Sequence, residues 1–290
     1  MKIGVVGSDR EEWHIKRLLK ELSRQGAEAY LLPITKFKAG VSTSPKVSVR
    51  GYPVDDYDAL IVRRVPGGTA EQVFYRMDIL HRLEEMGVTV INPSRAIEKS
   101  VDKYYTSALL DEAGIKTPRT IITESFSEAM NAYKKLGGDI VVKPLFGSLG
   151  MGITRVSSED IAYRVFRALE MTKSVYYLQE FIHHGGEDIR VFVIGGEVVA
   201  SMRRVSENWK TNISIGGKAQ PYEPREEIKE ISLKAAQKLG LEYTGVDVMV
   251  SGNNVYIIEL NSTPGWEGLQ SVTETDITKK LVEYVLSKAR

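Results

Sequence analysis

The chain has 290 residues, 42% of them apolar and 27% charged, with a formal net charge of +1 and no cysteine. That length exceeds what one core usually supports and points to two or three subdomains, while the balanced charge argues against nucleic acid as the main partner. No apolar run approaches the roughly 20 residues of a membrane span, Met1 to Gly7 gains a charge too early for a signal peptide, and without cysteine there is no disulfide, thiolate metal site or thiol nucleophile. A cytoplasmic protein is expected.

Ile3 to Val6 reads as a short strand, Glu11 to Gln25 as an amphipathic helix closed at Gly26, and Ala29 to Leu32 as a second strand, a βαβ opening. Thr35 to Pro53 has little periodicity and is expected to be irregular or short-stranded. Ala59 to Val65 is a further strand with Arg63 and Arg64 at its carboxyl end, where open α/β sheets bind ligands. The pair is a candidate for holding a substrate carboxylate, with a solvated salt-bridge role as the alternative. A helix over Phe74 to Met86 and a strand over Val88 to Ile91 complete a Rossmann-like layer over residues 1–93.

Asn92-Pro93-Ser94 breaks the chain, with Ser94 as an N-cap, and Asp102 caps a helix that closes at Gly114. Lys103 falls in the first turn of that helix, where the dipole disfavours a cation; a nucleotide phosphate or simple solvation would compensate. From Thr117 the pattern is strand, helix (126–136), strand, glycine loop, strand, helix (158–171) and strand (175–181), an α+β block within residues 94–183. Its centre is Lys143-Pro144-Leu145-Phe146-Gly147-Ser148-Leu149-Gly150-Met151-Gly152. Glycines let the backbone pass close to a ligand, and converging N–H groups form a nest for phosphate oxygens, with Lys143 beside them. The spacing is neither a Walker A loop nor a GxGxxG turn opening a helix, because a strand follows. What remains is a hairpin that covers phosphates, or a plain mobile one. Gln179-Glu180-Phe181-Ile182 leaves the sheet with backbone groups able to read an adenine edge.

Residues 184–290 form the last segment. His183 and His184 read as loop residues, because neighbouring side chains of an extended segment point to opposite faces. A hairpin turned at Gly195-Gly196 carries Arg190, Arg203 and Arg204; Lys210 and Asn212 follow it, then a helix over 226–239. Asp247, Glu259 and Asn261 sit on a second hairpin (245–250 and 255–260), before a last helix at 277–287. Oxygen donors of this kind suit magnesium, and acids within runs of Val, Met and Ile are desolvated unless a cation pairs with them. The alternative is a pair of solvated edge acids. If Asp247 and Glu259 share a face directly across the hairpin, their pairing is centred on Asn253. That requires an odd-length connection, most simply Gly252-Asn253-Asn254.

Lys143-Pro144 with its glycine loop, Gln179 to Ile182, Asp188-Ile189-Arg190-Val191-Phe192, Gly245-Val246-Asp247 and Glu259-Leu260-Asn261-Ser262-Thr263-Pro264-Gly265 together resemble the ATP-grasp superfamily. More narrowly they resemble its RimK branch of carboxylate–amine ligases, from about residue 90 to the C-terminus. The resemblance implies an α/β and α+β architecture, an ATP-grasp fold preceded by a Rossmann-like domain. It implies an ATP-dependent, ADP-forming ligase that joins a carboxylate to the amine of L-glutamate through an acyl phosphate. Asp102 to Ser107, Phe146 to Gly150 and Asn261 to Gly268 are most similar to archaeal enzymes acting on tetrahydromethanopterin. Relatives act on a ribosomal protein, on the deazaflavin coenzyme or in a carrier-protein lysine/arginine pathway; a nucleotide-binding regulator and a kinase are the rival classes.

By that resemblance, Lys103, Lys143, Ser148, Gly150 and Gly152 hold phosphates, and Gln179, Glu180, Phe181, Ile182 and Asp188 hold adenosine. Lys210 and Asn212 line the nucleotide or substrate side. Asp247, Glu259 and Asn261 bind one or two Mg2+ ions, for which Mn2+ can substitute, and Arg203 stabilises the acyl phosphate. Arg63, Arg64, Arg190 and Trp266 face a small acidic acceptor, with Trp266 either packing on its ring or folding back into the core. A homo-oligomer is compatible with all of this; nucleic acid and membrane partners are not expected.

Overall fold

The computed structural model describes residues 1–147 and 151–289, so Ser148 and Gly150 of the phosphate loop lie outside the described residues. β1 (Lys2–Val6), α1 (Trp13–Arg24) and β2 (Glu28–Leu32) form the expected βαβ unit. The next segment holds three short strands in a small antiparallel sheet of their own, β3 (Phe37–Ala39), β4 (Val47–Val49) and β5 (Tyr52–Pro53). β6 (Ala59–Val62), α2 (Ala70–Glu85) and β7 (Thr89–Ile91) complete a parallel sheet ordered β2-β1-β6-β7. α2 starts a turn earlier than its apolar residues suggest, because Thr69 and Gln72 form a reciprocal capping box. Alternation sends Ile3, Val5, Ala59 and Ile61 to the face covered by α1, and Val6, Leu60 and Val62 to the face covered by α2.

α3 (Ser94–Val101) and α4 (Lys103–Glu112) lead to the central sheet, built from β8 (Thr120–Thr123), β9 (Ile140–Lys143), β10 (Thr154–Val156) and β11 (Tyr176–Glu180) in the order β10-β9-β11-β8. α5 (Phe126–Lys135) and α6 (Glu159–Met171) cover one of its faces through Ala129, Tyr133, Ala162 and Phe166. The opposite face carries Lys143, Tyr177 and Gln179. The third sheet runs β14-β13-β12-β15-β16, from β12 (Glu187–Ile194), β13 (Glu197–Val205), β14 (Lys218–Pro221), β15 (Tyr243–Ser251) and β16 (Asn254–Asn261). α7 (Glu226–Leu239) packs on its Ile189–Val191–Val246–Val248 face, and Ala96 of α3 and Leu110 of α4 join that core.

α8 (Glu267–Gln270) and α9 (Ile277–Lys288) return to the start of the chain. Ile277, Leu281, Val282 and Val285 enter one core with Ile3, Val5, Ile15 and Leu18, and Phe192, Ile194 and Met202 join them from the third sheet. The junction is also bonded. Asn92, fully buried after β7, donates to Tyr243 O (2.8 Å) and Ser262 O (2.6 Å) and accepts from Glu242 N and Tyr243 N.

Two bulges decide which side chains share a face in the third sheet. In the first hairpin Ile194 pairs with Glu197 and Val193 with Val198, but Phe192 pairs with Ala200, leaving Val199 as an extra residue. Beyond it Asp188 faces Arg204 instead of Arg203. In the second hairpin Ser251 pairs with Asn254, so the turn is the two residues Gly252-Asn253, with Gly252 at φ +57°. Val248 then pairs with Ile257 but Asp247 with Glu259, and Ile258 is the extra residue. The expected three-residue connection is thus corrected to a shorter turn plus a bulge. Asp247 and Glu259 still share a face because the odd residue sits in the ladder.

Candidate active site

Asp188, Arg190, Arg204, Asp247 and Glu259 lie on one face of the third sheet, opposite α7. Arg190 donates through Nε and Nη2 to the two oxygens of Asp247, the second at 2.9 Å. Arg204 grips Asp188 at 2.7 and 2.5 Å and reaches Asp247 at 3.0 Å. A Cβ on Gly245 would lie 2.7 Å from an Arg190 guanidinium nitrogen, so glycine is what lets this side chain cross β15. Burial works against the Asp247 carboxylate, but Arg190 and Arg204 outweigh it and hold its pKa below the usual range. Burial likewise opposes the charge on Arg204, and Asp247 and Asp188 hold it above its ordinary value. For Glu259, burial and then the neighbouring Asp247 push the pKa up, against Lys103, Lys143 and Arg190.

The facing wall is cationic. Lys143, at the end of β9, donates to Gln179 Oε1 at 2.6 Å, and Gln179 is held by Thr120 and Tyr177 hydroxyls at 2.9 and 3.2 Å. Burial lowers the Lys143 pKa to about 8, with Glu259 and Asp247 opposing and Lys103 adding to the shift. Lys103 opens α4 behind Asp102, which caps the helix by accepting from Tyr105 N (2.9 Å). Its Nζ reaches Gly147 O at 2.8 Å and Leu145 O at 3.4 Å, tying α4 to the glycine loop. Burial lowers its pKa too, against Glu259 and Asp102. Gly152, at φ +75°, closes the loop in a conformation that side chains resist. Lys210 Nζ donates to Ile153 O at 2.7 Å, linking the segment after β13 to the strand after the loop. Asn212, two residues on, precedes a short 3-10 turn without a side-chain capping bond.

At the other end of the cleft the Glu180 carboxylate is occupied by Arg119, whose N and Nε donate at 2.8 and 2.6 Å. Phe181 N–H is taken by Asp139 O (3.0 Å), while among the described residues no hydrogen bond engages the Ile182 N–H. The Phe181 ring lies under Arg155, 3.6 Å from its centroid, and borders a cavity of about 390 Å3 with Trp209 and Gly186.

Several expectations change. Arg203 sits on the α7 face with Gln220 (2.9 Å) and Glu187 (3.4 Å), away from Asp247, because the Val199 bulge moves Arg204 into its place. Trp266 is fully buried among Trp13, His14 and Phe192, and its Nε1 donates to Thr278 Oγ1 at 3.1 Å, so the indole fills the core and offers no face to an acceptor. Asp188 holds Arg204 instead of opening toward a ribose, and Arg190 holds Asp247 instead of opening toward substrate. Arg63 is buried and Arg64 exposed, so only one of the pair points into the fold. Arg204 and Gln179's hold on Lys143 were missed, as was the Asn92 bridge. For Asn92 the chain break at Asn92-Pro93 was the only signal.

Asp247 across from Glu259 and Asn261 across from Gly245 give two carboxylates and an amide oxygen on one face. Among the described residues no cluster of three or more His, Cys, Asp or Glu forms a metal centre. This donor set nevertheless fits a hard divalent cation that completes its shell with phosphate and water. Asp247 already has Arg190 and Arg204 as partners, whereas Glu259 is buried beside it, and burial and then Asp247 push its pKa up. No helix among the described residues is long and apolar enough to cross a membrane.

Comparison with known proteins agrees with this architecture. Residues 1–97 match the RimK PreATP-grasp domain and residues 100–285 the RimK-like ATP-grasp domain. The chain is 34% identical to a tetrahydromethanopterin:alpha-L-glutamate ligase of Methanocaldococcus jannaschii over 99% of its length and 98% of the relative's. It is 32% identical to the enzyme of that name from Methanococcus maripaludis, over 100% and 99%. Among solved structures, the ATP-grasp ligase PsnB complexed with its minimal precursor superposes with a TM-score of 0.80, at 23% identity over 99% of both chains. With the motifs, the facing lysines and acids and both family domains in sequence order, the chain belongs to the RimK-type ATP-grasp ligases and is an ATP-dependent ligase.

Proposed function

We propose that this ligase joins the amine of L-glutamate to a carboxylate of a small coenzyme of the tetrahydromethanopterin type. The observation that carries the chemistry is the cleft in which Lys103 and Lys143 face Asp247 and Glu259. With Trp266 in the core, the acceptor class rests on the relatives that match the whole chain. The acceptor carboxylate oxygen attacks the γ-phosphorus of ATP and ADP leaves; the glutamate nitrogen then attacks the acyl carbon, phosphate departs and the amine loses a proton. No enzyme nucleophile is required, so the side chains act by orientation and charge.

Lys143, aimed by Gln179, and Lys103 hold phosphate oxygens under the glycine loop, and the Ile182 backbone reads the purine. Asp247, Glu259 and Asn261 are the ligands for magnesium, which when bound would neutralise charge on the β- and γ-phosphates. Arg204, beside Asp247 and rigidly held by Asp188, takes the role first assigned to Arg203, stabilising negative charge at the acyl centre. A cytoplasmic place of action is part of this proposal.

The test is incubation with ATP, Mg2+ and L-glutamate, separately with tetrahydromethanopterin, the deazaflavin coenzyme and a ribosomal-protein C-terminal peptide, reading ADP release and product mass. Glutamate addition to the pterin, dependent on the amine, is expected. Addition to the peptide alone would sink the acceptor assignment, and ADP release without any amide would point to a kinase.

A further inference from the structure

The N-terminal sheet has an unused ligand position. In the order β2-β1-β6-β7, the connections leaving β1 and β6 depart to opposite sides, which makes their carboxyl ends the switch point where open α/β sheets take ligands. Arg63 is the first residue past β6 and its backbone N–H closes on Val6 O at 2.9 Å. Alternation with Ala59 and Ile61 turns its side chain toward α1 and the third sheet, where it is 5% exposed. The guanidinium lies 4.7 Å from the Trp266 ring centroid and donates once, through Nη1, to Tyr243 Oη at 3.2 Å. Tyr243 in turn donates to Val62 O at 2.8 Å.

No carboxylate lies within ion-pair distance of Arg63 among the described residues, and its Nε is buried with no partner. Arg190 and Arg204 are satisfied by acids and Arg76 by the Pro66 and Gly67 carbonyls; Arg203 also has a buried Nε without a partner, but its guanidinium is half-exposed and reaches Glu187 and Gln220. The nearby imidazole supplies no charge. Its pKa falls to about 3, through burial and then the field of Arg63, and Nε2 of this neutral His14 accepts from Trp266 N at 2.9 Å. The Glu12 carboxylate faces His14 Nδ1 at 3.5 Å. A desolvated cation with an unmade hydrogen bond is unfavourable unless something anionic comes to it. A planar fork of donors suits a carboxylate.

We propose that Arg63 anchors a second, non-reacting carboxylate of one of the two acidic substrates. This deepens the ligase reading above, on which it rests for the two substrates being acids. The position is apt because Tyr243 starts the strand that carries Asp247 on the same face, so one extended substrate can run from the cation-binding hairpin to this switch point. Arg64, exposed and on the other side of the chain, takes no part.

The test compares wild type with Arg63→Met and Arg63→Lys. A methionine fills the same space without the charge, and a buried cation without an acid is not a stabilising group. The Arg63→Met protein is therefore expected to keep or raise its Tm while KM for glutamate or for the acceptor rises about 100-fold. Arg63→Lys should fall between, and KM for ATP should stay put. A rise for glutamate alone identifies glutamate as the carboxylate's source; a rise for the acceptor alone identifies the acceptor. Calorimetric binding of glutarate without ATP, present in wild type and lost in Arg63→Met, reports on the site even if no acceptor turns over. Unchanged KM values with unchanged glutarate binding would overturn the proposal, as would a large loss of Tm in Arg63→Met, which marks a structural cation.

Discussion

At the scale of single residues, the site is a set of charges whose partners decide their use. Arg203 and Arg204 are neighbours in sequence but occupy opposite faces, one beside Gln220 and the other between Asp188 and Asp247. Arg204→Lys keeps a positive charge but loses the bidentate grip, and should lower kcat about 100-fold or more. Arg203→Ala should change kcat only a few-fold. Steady-state ADP release, with a thermal melt of each variant, separates the two; equal losses would contradict the face assignment. Lys143 gives a second expectation. Its folded pKa of about 8 lies below the ordinary 10.5, so between those values the folded protein binds fewer protons than the unfolded chain. Stability of the free protein from this group therefore rises as pH climbs through that window. Phosphate binding favours the charged amine, so ADP affinity should fall above about pH 8, with proton uptake on binding. Calorimetry in buffers of different ionisation enthalpy measures that uptake, and Lys143→Arg should abolish it.

At the scale of elements, periodicity and turn residues account for most helices and strands, and they fail in identifiable places. β14 was missed because Lys218–Pro221 has no apolar run, whereas the small β3–β5 sheet falls in the segment expected to be irregular or short-stranded, its strands only two or three residues long. α2 began early through a Thr-x-x-Gln cap that was visible in the sequence but not used. Trp266 and Arg190, expected on the acceptor side, and Asp188, expected at adenosine, depart for a different reason. Trp266 is held by Thr278, a partner that turn chemistry cannot name, and Arg190 and Asp188 are held by cross-strand partners whose identity depends on register. Register in turn depends on Val199 and Ile258, ordinary β-branched residues that carry no bulge signal. Deleting Ile258 removes the extra residue and leaves Glu259 next to Ile257, still opposite Asp247 in a regular ladder, so folding and the pairing of the two acids are both expected to survive. Circular dichroism should be native-like and Mg2+-dependent turnover retained; turnover lost in a folded protein would show that the bulge itself, and not the cross-strand pairing alone, shapes the site.

At the scale of the whole molecule, the three sheets are not three independent bodies. α9 contributes four fully buried side chains, Ile277, Leu281, Val282 and Val285, to the core that begins with Ile3 and Val5. At roughly 1.5–3 kcal/mol each this burial is worth about 6–12 kcal/mol, comparable with the whole stability of a typical domain, about 5–15 kcal/mol. A chain ending at Asp276 should therefore fail to fold, seen as loss of a cooperative melt; an intact melt would mean that the N-terminal layer stands alone. The shared core also sets an order of events during synthesis. β1 is made early, yet the buried cluster that holds Ile3 and Val5 also includes Trp266, Leu281 and Val285, which are made much later. At about 5–20 residues per second, translation leaves that apolar face waiting for roughly a quarter of a minute to a minute. A nascent chain lacking α9 thus exposes that apolar face to the solvent, and β1 is sealed only after α9 has been made.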